Sequence, residues 1–122
     1  MFIGINSIFH FSTQGNDFNT VKNENGKYEL GEVETVNVFS KENRVLILTR
    51  DSLKTDYLYG FDLDGNLIFR VPPPEHYSFW YLSGKQIACN EADNLAKKSP
   101  FSGWWFSIDL ESGNLTIGSP AY

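Results

Sequence analysis

The sequence predicts an all-β fold, an antiparallel meander of about 9–10 strands, from three observations. From residue 34 onward, apolar strand-like runs and Gly, Asn and Asp turn signals alternate at short, regular intervals. A hairpin pattern at residues 57–71 then returns near the other end of the chain, at residues 105–117. In it Phe61, Asp62 and Leu63 match Ile108, Asp109 and Leu110, and Gly65, Asn66 and Leu67 match Gly113, Asn114 and Leu115, at a spacing of 47 before the turn and 48 after it. Aromatic residues make up 16% of the chain, which suits strands better than helices. Only residues 91–98 offer helical character, at most two turns before Ser99 and Pro100 stop them.

Taken in order, residues 2–11 are apolar and β-branched and read as one strand, broken by the polar run 12–17. Residues 18–34 carry one clear signal, Asn25-Gly26, between Val21 and Lys22 on one side and residues 27–30 on the other. Both turn positions tolerate the positive φ of a type I′ hairpin. Residues 35–40 form a strand, 41–43 a turn, and 44–49 a strand apolar on both faces, which belongs in the middle of a covered sheet. A loop at 51–56 leads into the hairpin 57–71, turning at Asp64, Gly65 and Asn66, with Tyr57, Tyr59, Phe61 and Leu63 on one face. Pro72, Pro73 and Pro74 offer no backbone donors and make 71–75 an extended connector. A second set of four strands follows at 76–82, 86–91, 104–110 and 114–118, joined by a turn at 83–85, a long loop at 92–103 and a turn at 111–113.

Two units of about 34–71 and 76–118, preceded by a partial N-terminal unit, resemble propeller repeats, in which each repeat of this length is one four-stranded sheet. The motif that carries the resemblance is apolar-Asp-apolar followed by Gly-Asn-Leu. It implies a single domain over residues 1–122 built as a truncated, propeller-like stack, with a β-sandwich as the alternative.

Composition narrows the function classes. Ten Lys and Arg against fifteen Asp and Glu give a net charge of −5, which repels nucleic-acid backbones and anionic membranes. No run reaches membrane-spanning length, and residues 1–6 lack the basic segment and apolar core of a secretory leader, so a cytoplasmic protein is expected. The single cysteine, Cys89, has no partner for an intramolecular disulfide and sits in a strand, where it reads as a small core residue.

Strand parity locates a candidate surface. In an up-and-down sheet the connections alternate between two ends, so the turns at 41–43, 64–66, 83–85 and 111–113 share one end. The long connections at 51–56, 71–75 and 92–103 share the other. Binding loops are free to grow whereas scaffold turns stay short, so the long-loop end is the expected working surface. It presents Asp51, Asp56, Glu75, Glu91 and Asp93, with His76, Tyr77, Phe101 and Trp104 close by. Carboxylates beside aromatic anchors suit a basic protein partner, since charge steers encounter and rings supply affinity. The competing explanation is a solvated acidic rim over core aromatics, because alternation puts Trp104 on the same face as Phe106, Ile108 and Leu110.

Catalytic signals are absent. His10 and His76 lie far apart without His-Glu-x-x-His or Cys-x-x-Cys spacing, so no metal and no cofactor are expected. Asp62, Asp64 and Asn66 lack the glycine position and terminal Glu of a calcium loop and are explained by the hairpin turn. His76 follows a proline run and reads as an exposed loop residue rather than half of an acid–base pair with Glu75.

A small, acidic, cytoplasmic all-β chain without a catalytic motif is similar to the bacterial immunity proteins of contact-dependent growth inhibition and other polymorphic toxin systems. That resemblance is one of class and implies a non-enzymatic toxin inhibitor. It implies a cognate toxin as partner, expected to be a basic nuclease domain, whose active site the acidic and aromatic loops occlude. Neither nucleic acid nor membrane would be bound directly, and the free protein would be a monomer or weak oligomer. Two readings compete. A carbohydrate-binding module would stack sugars on Trp80, Trp104 or Trp105 and Tyr77, and a structural subunit would pair its open sheet edges between copies.

Overall fold

The structure, a computed structural model, describes residues 2–4, 10–12, 20–23, 26–30, 33–49, 56–91 and 103–121. The described residues are all-β, with three four-stranded antiparallel sheets in which consecutive strands are neighbours. The first holds β1 (Phe2–Gly4), β2 (His10–Ser12), β3 (Thr20–Asn23) and β4 (Gly26–Glu29). The second holds β5 (Val33–Phe39), β6 (Arg44–Thr49), β7 (Tyr57–Phe61) and β8 (Leu67–Val71). The third holds β9 (Tyr77–Ser83), β10 (Gln86–Glu91), β11 (Gly103–Ile108) and β12 (Leu115–Pro120).

The N-terminal region differs from its sequence reading. The single strand expected at 2–11 is two strands paired with each other, Phe2 opposite Ser12 and Gly4 opposite His10, so the partial unit is a complete four-stranded sheet. The run is mostly apolar on either side of Asn6 and Ser7, and two polar residues inside an otherwise apolar run are a weak signal of a reversal. The expected hairpin of the first sheet is present, but it closes on the pair Asn23 and Gly26, so Gly26 belongs to β4 rather than to the turn expected at Asn25-Gly26. The short helix expected at 91–98 falls almost wholly outside the described residues.

β6 explains how the sheets stack. Its residues Val45, Leu46, Ile47 and Leu48 are all 0% exposed, so both faces of the second sheet are covered. Leu46 and Leu48, with Leu58 and Phe69, meet Phe79, Leu82, Ile87, Cys89, Phe106 and Ile108 of the third sheet in one core. On the other face Val45, Ile47, Tyr59 and Phe61 form a second cluster joined by Leu30, which directly follows β4. Burying branched side chains on both faces stabilises such a strand by about 1.5–3 kcal/mol each, which is why a continuous Val-Leu-Ile-Leu run sits here.

The duplicated hairpin holds in detail. Asp62 N–H donates to Asn66 O at 3.0 Å, and Asp109 N–H donates to Asn114 O at 3.0 Å. Each aspartate also caps its own turn, Asp62 Oδ1 accepting from Asp64 and Asn66 N–H and Asp109 Oδ1 from Glu111 N–H, all at 2.9 Å. The tight turns meet at one end of the two sheets. Lys85 Nζ reaches Glu42 Oε1 at 3.2 Å, Arg44 Nε donates to Leu110 O at 2.6 Å, and Leu63 N–H donates to Asn43 Oδ1 at 2.9 Å.

Candidate functional site

The opposite end begins with the proline connector. Tyr77 N–H donates to Pro74 O at 3.0 Å, closing a turn in which His76 takes φ 71°. That left-handed conformation costs a non-glycine residue about 1–2 kcal/mol. The turn leaves the Glu75 side chain 88% exposed, with His76 Nε2 3.6 Å from Glu75 Oε1. Three prolines and a hydrogen-bonded turn thus hold an acid in solvent on a stiff support. Asp56, half-buried, precedes β7, and the Arg70 guanidinium lies 4.5 Å from the centre of the Tyr57 ring.

Three other candidate residues turn inward. Pairing places Glu91 opposite Tyr77 and Cys89 opposite Trp104, so all four share the face of the third sheet that packs on the second. Glu91 is 7% exposed, and its Oε1 accepts from Trp104 Nε1 at 3.0 Å. Its Oε2 is buried and accepts no hydrogen bond among the described residues. Burial, then the Glu91 carboxylate, then Cys89 push the Tyr77 hydroxyl above its ordinary pKa. Burial alone pushes the Cys89 thiol up to about 12, so it is protonated at neutral pH and is not a nucleophile there. Of the nine residues expected at this end, Glu75 and His76 are exposed and Asp56 half-buried, while Tyr77, Glu91 and Trp104 face the core side. Asp51, Asp93 and Phe101 lie outside the described residues. Among the described residues no three His, Cys, Asp or Glu side chains gather as a metal site, and no helix is long and apolar enough to cross a membrane.

The other face of the third sheet holds an aromatic group that alternation alone does not reveal. Ala88 pairs with Tyr81 but Cys89 with Phe79, so Trp80 is an extra residue, a β-bulge. The bulge sends Trp80 and Tyr81 to the same side, where Ala88 is also opposite Trp105. Tyr81 stands edge-on to both tryptophans, with ring centres 5.1 Å from Trp80 and 5.3 Å from Trp105. Trp80 remains 37% exposed. The tryptophans named for a sugar platform are therefore split, Trp80 and Trp105 outward, Trp104 and Tyr77 toward the core. A signal in the sequence is the run of three successive aromatics, Phe79, Trp80 and Tyr81, which cannot all lie on one face of a regular strand.

Comparison with protein-family models, with curated proteins and with solved structures finds no match to this chain.

Proposed function

We propose that this chain is a non-catalytic binding protein for a basic protein partner, of the kind represented by bacterial immunity proteins acting on a cognate nuclease toxin. The observation that carries the reading is the Glu75–His76 turn, an exposed acid on a stiff proline support beside His76 in a left-handed conformation. Backbone strain of this kind persists only where the surroundings over-determine it, and such positions cluster at binding sites. Pre-ordering also lowers the entropy lost on association. The chain's net charge of −5 would accelerate encounter with a basic surface.

A complex of this kind buries about 1,200–2,000 Å² and reaches nanomolar affinity, about −12 kcal/mol. The test is co-purification with the product of the adjacent gene, followed by suppression of that product's toxicity. Glu75→Lys is expected to slow association and flatten its salt dependence. His76→Gly is expected to raise stability by about 1 kcal/mol while weakening the complex. An association rate indifferent to both salt and Glu75→Lys would remove the electrostatic part of the proposal.

A further inference from the structure

The repeat supplies a comparison of faces that neither sheet offers alone. Matching Phe61 to Ile108 makes Leu58 the counterpart of Trp105 and Gly60 that of Ser107, and strand pairing then makes Leu46 and Leu48 the counterparts of Gln86 and Ala88. Leu46, Leu48 and Leu58 are 0% exposed because the third sheet covers them. The outer face of the third sheet is therefore the equivalent of a face that, one sheet earlier, carries the next layer.

That face has the make-up of an interface centre. Trp80, Tyr81 and Trp105 are bordered by Ser78, Asn90 and Ser107, and no charged residue faces this side among the described residues of β9, β10 and β11. Aromatic enrichment with depletion of charge marks the centre of a protein–protein contact. The rings are also braced. A Cβ on Gly103 would lie 3.3 Å from Trp80 Cζ3 and 2.8 Å from Ala121 O, so Trp80 packs closely over bare backbone there.

Among the described residues, the exposed charges next to these strands lie beyond their two ends and are mainly acidic. Glu75 precedes β9, and Asp109 and Glu111 follow β11, whereas Lys85 is engaged by Glu42 at 3.2 Å. An uncharged aromatic centre between acidic ends repels a second copy of itself and complements a partner with an apolar centre and a basic rim.

We infer that the outer face of the third sheet, centred on Trp80, Tyr81 and Trp105, is the docking surface for that basic protein partner, with the acidic ends steering it. The inference rests on the reading of the chain as a protein-binding module. It moves the affinity away from the long loops and onto a rigid sheet.

The experiment measures association and dissociation of the adjacent gene's product on the full chain and three variants. Trp80→Ala removes an exposed ring, and Ser107→Arg sets bulk and positive charge on the same face at an exposed position. Glu75→Lys alters only the acidic end. Trp80→Ala and Ser107→Arg are expected to weaken binding by roughly thirtyfold or more through faster dissociation, with the urea midpoint of Ser107→Arg unchanged. Glu75→Lys is expected to act on the association rate. Tight wild-type binding with both face variants within twofold of it would overturn the docking face and leave the binding reading standing. No binding by the wild type would overturn both. A wild-type dimer lost in Trp80→Ala would give the face to a second copy, and quenching of tryptophan fluorescence by neutral oligosaccharides, lost in the same variant, would give it to a sugar. Either result overturns the inference.

Discussion

Cys89 is fully buried between the second and third sheets, and its thiol is pushed up to about 12 by that burial alone. In the unfolded chain it ionises near its ordinary value, about 8.5. A group whose folded pKa is raised contributes stability below the unfolded pKa and loses it as pH rises toward the folded one. Stability is therefore expected to fall between about pH 9 and pH 12 by up to about 1.4 kcal/mol per pH unit, and Tyr77, also raised, adds to the fall at the upper end. Urea unfolding at pH 8 and pH 10 should show the loss in the wild type and a smaller one in Cys89→Ala. A thiol reagent should meanwhile react slowly with the folded protein and release one thiol in urea. Equal pH dependence in the two proteins would place the alkaline sensitivity elsewhere.

Phe69 ties together elements that are far apart in the chain. Its ring fills the space over Gly60 of β7, where a Cβ would lie 2.3 Å from Cε2. The same ring lies against Gly113 of the turn before β12, where a Cβ would lie 2.5 Å from Cδ1. Both glycines are thus places where a ring approaches the backbone, and Gly113 also takes φ 78°. Gly60→Ala is expected to cost about 1–3 kcal/mol through overpacking. In a Phe69→Leu background the smaller side chain leaves room, so the same substitution should cost less. A double-mutant cycle by urea denaturation measures that coupling, and strictly additive effects would mean that the ring does not fill this space in solution.

The four edge strands of the second and third sheets share a device. β5, β8, β9 and β12 each carry an extra residue relative to the neighbour, whereas the interior pairings of β6 with β7 and β10 with β11 run without interruption. Bulges twist an edge away from flat pairing and so oppose edge-to-edge association. Together with a net charge of −5, they favour a monomer over the subunit that pairs its edges between copies. Sedimentation velocity at micromolar concentration is expected to show one monomeric species across the salt range. A dimer that survives Trp80→Ala would mean that the edges do pair.

Local chemistry accounts for what the sequence by itself determined. Alternation and turn residues are readable without a partner, so they yielded the all-β class, the doubly covered β6, the duplicated hairpin, the common end of the tight turns and the burial of Cys89. They yielded less of the candidate site. A residue at the end of a strand is exposed or buried according to what packs on it, which is why Glu75 stands in solvent while Glu91, also beside a long connection, lies under the core with Trp104. Bulges belong wholly to the tertiary structure, because an extra residue is extra only relative to the strand it pairs with. The slip at Trp80 turns two aromatics to one side, and the stacking of sheets decides that this side, unlike its counterpart on the second sheet, carries no further sheet among the described residues.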